Sequence, residues 1–285
     1  MAILSIQSHV VYGVAGNSSA VFPLQRLGRE VWAINTVEFS NHTGYGAWKG
    51  DVLRPGLVDE LVAGIAERGV LGRCEAVLSG YLGDPETAAS VHNAVKKVKS
   101  AAPQALYCCD PVMGDVGGGF YVKDGIFEFF RDSLIADADI ITPNQFELNA
   151  LTGVEKTSRI DAARKAIDCL HQKGPRIVLV TSYRGEDAAP NSIEMLVSDG
   201  KSAARVRTPE LKFNAIIAGT GDLTTAVFLS RYMESGDPKT ALEMTAASVY
   251  GVIAATHKAG SAELLTVQAQ QELVSPAHSF KATTI

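Results

Sequence analysis

Short apolar runs alternate along the chain with longer segments whose apolar residues recur every three or four positions. The runs predict strands and the longer segments predict helices. Strands are predicted over 2–7 (AILSIQ), 30–36, 75–79, 105–109, 139–142 and 176–181, with two more near 194–198 and 203–207. Helices are predicted over 17–27, 55–68, 85–99, 144–151, 160–172, 222–233 and 238–257. In the first helix Val21, Leu24 and Leu27 share a face, and in the second Leu57, Leu61 and Ile65 do so.

Strands separated by helices imply right-handed crossovers and therefore an α/β fold with a mostly parallel central sheet covered by helices on both faces. The near-continuous apolar strands AILSI, ALYCC and IVLV fit burial on both sides. No internal repeat or low-complexity linker interrupts the pattern, so residues 1–285 are expected to form one domain. The most polar stretch, 184–191 (RGEDAAPN), reads as a surface connection.

Composition narrows the partners. Apolar residues make up 46% of the chain, enough for a sizeable core, and the 26 basic against 31 acidic residues leave a net charge near −5. That balance argues against binding nucleic acid or anionic membranes through bulk charge. No apolar run approaches the roughly 18 residues that span a bilayer. The start, MAILSIQSHVV, lacks the basic region of a signal peptide and reads as a buried strand. Cys74, Cys108, Cys109 and Cys169 form no CxxC pair, which suits reduced thiols in the cytoplasm. The six histidines show no HxH or HExxH spacing, so no zinc site is expected.

Three polar motifs fall at the carboxyl ends of predicted strands, where open α/β sheets bind ligands. The first is AGTGD, Ala218 to Asp222, opening a long helix. Its small residues admit a ligand close to the backbone, and the free amides of a helix start favour an anion. Asp222 would repel a phosphate there unless it takes the proton from an attacking hydroxyl. A glycine turn with an acid in the first helical turn is the plainer reading. Gly219, Gly221 and Thr224 weakly mimic a dinucleotide fingerprint, but they lie far from the first strand. No GxxxxGK[ST] occurs either, so nicotinamide and P-loop enzymes are disfavoured.

The second motif is DPVMGD, where Asp110 and Asp115 bracket a turn expected at Pro111 and Gly114. Paired carboxylates at a strand end can hold a cation or its waters; a plain turn is the alternative. Glycines 117–119 would make the following loop mobile. The third is ITPNQFE: Thr142 is the expected N-cap, Pro143 the first helical residue, and Gln145 completes a capping box. Asn144 and Glu147, three apart, would share a face turned towards a magnesium–phosphate group. A fourth segment, NHTGYGAW (41–48), carries the donors, aromatics and glycines of a ring-binding loop, or of an ordinary glycine loop. Ser8-His9, ending the first strand, is equally open.

Together these segments resemble the pyridoxal kinases of the ribokinase-like superfamily. SIQSHVVYG, VEFSNHTGYGAWKG, LSGYLGD, YCCDPVMGD, DIITPNQFE and GTGD occur in the family's order across nearly the whole chain. The resemblance implies ATP-dependent phosphorylation of the 5′-hydroxymethyl group of pyridoxal, pyridoxine or pyridoxamine, in pyridoxal 5′-phosphate salvage. It makes Asp222 the catalytic base, and Gly219, Thr220 and Gly221 the anion hole. Ser8 and Thr43 correspond to ring contacts, with His42 and Tyr81 nearby. Asp110 and Glu147 correspond to residues near the phosphates and Mg²⁺, with Asn144 beside them. Asp115 and Thr142 correspond to residues at a monovalent cation, K⁺ or Na⁺. Tyr121, Thr181, Ser182, Phe213, Asn214 and Ala215 fall where the family contacts ATP. Thr181 stands where some bacterial members carry lysine, so a cation contact to the nucleotide is lost or supplied elsewhere. A homodimer with small-molecule substrates is also implied. The rival readings are a hydroxymethylpyrimidine kinase using the same phosphate machinery and a non-catalytic pyridoxal phosphate carrier.

Overall fold

The structure is a computed structural model that describes residues 2–285. Its centre is a ten-stranded sheet in the order β12-β11-β10-β9-β8-β5-β4-β1-β2-β3. The strands β1 (Ala2–Tyr12), β2 (Glu30–Asn41), β4 (Cys74–Ser79), β5 (Leu106–Cys109), β8 (Ile140–Ile141) and β9 (Ile177–Tyr183) run parallel. Antiparallel strands flank them: β3 (Gly50–Val52) on one edge, and β10 (Ser192–Ser198), β11 (Ala203–Pro209) and β12 (Thr283–Thr284) on the other.

The strand residues alternate between two buried layers, which explains why they read as unbroken apolar runs. Leu4, Ile6, Val77, Cys109, Ile141 and Val178 pack with α2 (Leu57–Glu67), α3 (Pro85–Ala101) and α7 (Ile160–Lys173). Ile3, Ala76, Leu78, Cys108, Ile140 and Leu179 pack with α1 (Asn17–Arg26), α8 (Thr220–Ser235) and α9 (Pro238–Lys258). Consecutive side chains of a strand point to opposite faces. Cys108 and Cys109 are thereby sent into different layers, and all four cysteines are free. Among the described residues no helix is long and apolar enough to cross a membrane.

Two differences from the sequence pattern shape the site. First, β1 and β2 continue well past residues 7 and 36. Beyond Ile6, β1 loses β4 and pairs with β2 alone, through His9 with Glu38, Val10 with Phe39, and Tyr12 with Asn41. With β3 added through Val37–Val52 and Phe39–Gly50, this makes a three-stranded arm standing above the sheet's carboxyl edge. The polar ends of both strands belong to that arm and not to the core. Second, residues 126–137 are helical, as α4 (Ile126–Phe129), a π-helical turn (Phe130–Leu134) and α5 (Ile135–Asp137). Ile126, Phe130 and Leu134 recur every four residues and are fully buried. No element was expected there from the sequence pattern. The short α6 (Gln145–Thr152) and α10 (Gln270–Val274) complete the helices.

Candidate active site

The site forms where α8 begins. Gly219 caps that helix with φ 77°, a left-handed backbone that favours glycine. A Cβ on Gly219 would lie 2.0 Å from the Val14 carbonyl oxygen, so the β1–α1 turn rests directly on the GTGD turn. Ser19 secures the contact by donating its hydroxyl to the Gly219 carbonyl at 2.7 Å. Above Gly221 the space is open, with nothing within 4 Å of where a Cβ would sit. The first amides of the helix therefore face a gap that an anionic group can enter.

Asp222 is half-buried and held by the Gly16 N–H, which donates to Oδ2 at 2.8 Å. Burial pushes its carboxyl up from the ordinary range, and the Gly16 hydrogen bond and His42 pull it back. Gly16 in turn lies against Ser8: a Cβ there would fall 2.1 Å from the Ser8 carbonyl oxygen and 2.3 Å from Oγ. Ser8 and Asp222 are thus neighbours across one residue of backbone. Gly16 had not been singled out, although a glycine pair after the first strand (GVAG) marks a close approach of backbones.

Asp110 is buried at the end of β5, and its Oδ2 accepts the Thr225 hydroxyl at 3.1 Å. Thr225 also lies 2.9 Å from the Thr142 hydroxyl, so the three side chains form one buried cluster. Burial, reinforced by the Asp222 charge, pushes the Asp110 carboxyl up to about 8. Thr225 is a residue the motif reading missed. Its signal was the three-residue spacing from Asp222, which puts both on one helix face.

The expected capping of α6 needs correction. Thr142 is not the N-cap and Gln145 does not complete the box. The N-cap is Asn144, whose side chain accepts the Glu147 N–H at 2.9 Å, while Glu147 Oε2 accepts the Asn144 N–H at 2.9 Å. Thr142 is committed to the cluster with Thr225 and continues β8, its N–H bonded to Cys109 at 3.1 Å. Pro143 then carries the chain to the cap. The second oxygen of Glu147 accepts the Met113 N–H at 2.9 Å. Its buried carboxyl is pushed well up by burial and by Asp110. Asn144 Nδ2 donates to the Gly114 carbonyl at 2.8 Å and to Asp115 at 3.2 Å.

The turn expected at Pro111 and Gly114 is a hairpin instead, with β6 (Gly114–Asp115) paired to β7 (Gly119–Phe120). Asp115 is exposed on it, and Asn144 ties it to α6. Gly114 is required because a Cβ would meet the Phe146 ring at 2.4 Å. Just past β7, the Tyr121 phenol feels the charges of Glu147, Asp115, Asp110 and Asp222. Acidic residues therefore dominate this end of the cleft. Among the described residues, no group of three or more His, Cys, Asp or Glu side chains is arranged to hold a metal ion by itself.

A cavity of about 280 Å³ lies beside Thr220, Gly221 and Thr224. Its walls are apolar: Ile193 and Met195 of β10, Leu211, Phe213 and Ile217 of the segment before α8, and Val249, Tyr250 and Ile253 of α9. Of the residues that the resemblance assigns to ATP, Thr181, Ser182, Phe213 and Ala215 line this cavity, whereas Asn214 and Tyr121 do not. Thr181 and Ser182 form a bulge opposite Met195, because Glu194 pairs with Tyr183 but Leu196 with Val180. Ser182 has φ 51°, in the left-handed region. Bulges of this kind re-aim side chains at strand ends, here towards the cavity. Arg184 also lines the cavity and bonds Glu210 at 2.5 Å. The rest of the 184–191 stretch is exposed or half-buried and does not line the cavity, in keeping with a surface connection.

On the other side of Asp222, Tyr81 packs with Val10, Ala15, Val37, Phe39, Val52 and Ala218. This apolar group joins the arm to the GTGD turn. The 42–48 loop hangs from the arm, with His42 Nδ1 accepting the Gly44 N–H at 3.0 Å and the one-turn helix Thr43–Tyr45 following. Thr43 is exposed at its start, and Trp48 folds back onto Phe39 with ring centroids 4.1 Å apart.

A carboxylate at an anion-receptive helix start, between a cavity of about 280 Å³ and the apolar group around Tyr81, on the carboxyl edge of this sheet, fits a small-molecule kinase of ribokinase-like fold. The phosphomethylpyrimidine kinase family model matches residues 57–266. A pyridoxal kinase PdxY of Granulibacter bethesdensis is 50% identical over 286 residues, covering 99% of both chains. Another from Rubrobacter xylanophilus is 51% identical over 279 residues, covering 98% of this chain and 95% of that one. The pyridoxal kinase of Leishmania donovani, solved with ADP and pyridoxamine, superposes with a TM-score of 0.90 at 29% identity and 99% coverage of both. The chain belongs to the pyridoxal kinase family, within the wider group that the phosphomethylpyrimidine kinase model describes.

Proposed function

We propose that this chain, as a single kinase domain over residues 1–285, transfers the γ-phosphoryl group of ATP to the 5′-hydroxyl of pyridoxal and its vitamers, supplying pyridoxal 5′-phosphate by salvage. The observation that carries the reading is Asp222, fixed by Gly16 at the mouth of the α8 amides and flanked by the two apolar compartments. With Oδ2 engaged by the Gly16 N–H, Oδ1 takes the proton of the attacking hydroxyl as the bond to phosphorus forms and the ADP oxygen leaves. The amides of Gly219, Thr220 and Gly221 stabilise the transferring group, a role that needs donors already aimed at the developing charge. Ser8, His42, Thr43 and Tyr81 face the pyridine ring. Thr181, Ser182, Phe213 and Ala215 hold the nucleotide, with Asn214 and Tyr121 at its margin.

Mg²⁺ fits the carboxylates of this end. Asp110 and Glu147 are buried, and both are pushed towards the neutral form by burial and nearby acids, which a divalent cation relieves. Because Glu147 already accepts two backbone N–H groups, it would act mainly through the ion's waters, and the ion would neutralise the nucleotide phosphates. Asp115 and Thr142 are the residues for K⁺ or Na⁺. A homodimer in the cytoplasm is the expected setting.

The test is ADP release with pyridoxal, pyridoxine, pyridoxamine and hydroxymethylpyrimidine, each with and without potassium. Turnover of the three vitamers well above that of the pyrimidine supports the proposal. Preference for the pyrimidine replaces it with the kinase that the family model's description suggests, and no ADP with any acceptor leaves a carrier.

A further inference from the structure

The turn at residues 13–16 is gripped from two sides. On one side it meets the reacting end of the cleft, through Gly16 on Asp222 and Val14 against Gly219. On the other side stands Glu263, in the segment between α9 and α10. Its Oε2 accepts the Val14 N–H at 3.0 Å, and a Cβ on Gly13 would meet both carboxylate oxygens at 2.7 Å. Its Oε1 accepts the Tyr45 hydroxyl at 2.5 Å. Tyr45 closes the one-turn helix that begins at Thr43. One carboxylate therefore ties the loop above the ring compartment to the turn that anchors Asp222, across chain separations of 218 and 249 residues.

We propose that Glu263 is a positioning residue: a latch that holds the 42–48 loop closed over the ring compartment and sets the turn that fixes Asp222. This rests on the kinase reading above for its kinetic consequence, but not for the latch itself. Within itself the loop is held by the His42 cap and by Asn41 Nδ2, which donates to the Ala47 carbonyl at 2.9 Å, but residues 43–50 are all exposed and neither bond reaches the turn at residues 13–16. Tyr45 is half exposed, with the Tyr12 ring 6.2 Å away. The carboxylate has two oxygens and two separate donors, so losing one arm leaves the other intact.

Two measurements on the full-length enzyme decide the matter. Lys49 lies at the end of the loop, so trypsin cleavage after Lys49, read by mass spectrometry, reports opening without any substrate. Tyr45→Phe should speed this cleavage by about threefold or more, the weight of one charge-assisted hydrogen bond at a partly exposed site. It should raise KM for pyridoxal by a similar factor and leave kcat and KM for ATP nearly unchanged. Glu263→Ala should open the loop equally and also lower kcat, because the Val14 arm is lost. Glu263→Gln, which can still accept from Val14 and donate to Tyr45, should recover much of both. The double variant Tyr45→Phe/Glu263→Ala should cleave no faster than Glu263→Ala alone. Unchanged cleavage in Tyr45→Phe, or additive effects in the double variant, would overturn the latch. Faster cleavage with no rise in KM would overturn its role in holding substrate. If the wild type phosphorylates no vitamer, the function reading fails, while the cleavage data still decide whether the latch exists. Tyr45→Phe, at an exposed position, keeps the test available should Glu263→Ala not fold.

Discussion

The two sides of Asp222 are built in different ways. On the side of α6 and the β6–β7 hairpin, which the proposed function assigns to the phosphates, Asp110, Thr142, Thr225 and Glu147 are buried, and each is hydrogen-bonded to a side chain or backbone group of another segment. On the other side, which the same proposal assigns to the pyridine ring, the 42–48 loop is largely exposed and held by few contacts: a His42 cap, the Asn41 amide on the Ala47 carbonyl at 2.9 Å, an aromatic contact at Trp48 and the Tyr45–Glu263 bond. Phosphoryl transfer depends on donors and charges that do not reorganise during the reaction, so a rigid polar cluster suits it. A ring compartment must let its occupant in and out, and segments with few buried contacts open at low free-energy cost. A substitution on the first side should therefore act on kcat or the metal, and one on the second on KM.

The strongest test of that division is Asp222→Asn. It keeps the Gly16 N–H bond through the amide oxygen but removes the proton acceptor. A fall in kcat of about 10²–10⁴, the usual worth of a positioned base, is expected with nucleotide binding little changed. A variant retaining more than about half of wild-type kcat, far outside that range, would remove Asp222 from the proton transfer.

Glu147→Gln comes next. It should shift the half-saturating magnesium concentration severalfold upward while KM for pyridoxal stays nearly the same, as magnesium titrations of initial rates would show. If the magnesium curve does not move, Glu147 is only the cap of α6.

On the ring side, Thr43→Ala removes one hydroxyl from the loop. A lost hydrogen bond of about 0.5–1.5 kcal/mol corresponds to a KM for pyridoxal raised roughly threefold to tenfold, with KM for ATP untouched. Equal rises in both KM values would erase the contrast between the two sides. No change in either would put Thr43 outside the ring compartment.

The smallest effect expected is on the ligand-free protein. The Asp110 carboxyl sits at about 8 in the folded state against the ordinary value of 3.8. The folded state then binds the extra proton between those values, so Asp110 subtracts stability increasingly as pH rises from about 4 to about 8. In chelator, Asp110→Asn should raise Tm by a few degrees at pH near 8 and by less at pH near 5. Magnesium should close that gap by stabilising the wild type at the higher pH. An equal gain at both pH values would mean that the charge is already neutralised without metal.

The six parallel strands and the long helices between them were legible in the residues, because an apolar strand buried on both faces and an amphipathic helix each carry their own period. So was the glycine turn of GTGD opening a long helix with Asp222 in its first turn, since those residues are consecutive and need no distant partner to be recognised. The local device at Asn144 and Glu147 was also written in the chain, yet it was assigned two residues too early. Thr142 satisfies every local rule for a cap, and only its partnership with Thr225 shows that it is spent elsewhere. The same limit applies to Gly16 on Asp222, to the bulge at Thr181–Ser182 and to Glu263 between Val14 and Tyr45. Periodicity and short motifs report what a residue does to its neighbours within a turn or a strand. Which carboxylate accepts from which amide, across as many as 249 residues, is decided when the sheet's order brings the ends of β1, β5 and β8 and the start of α8 to one edge. Burial there makes each unpaired polar group costly, so every one must find a partner from whichever segment lies nearest.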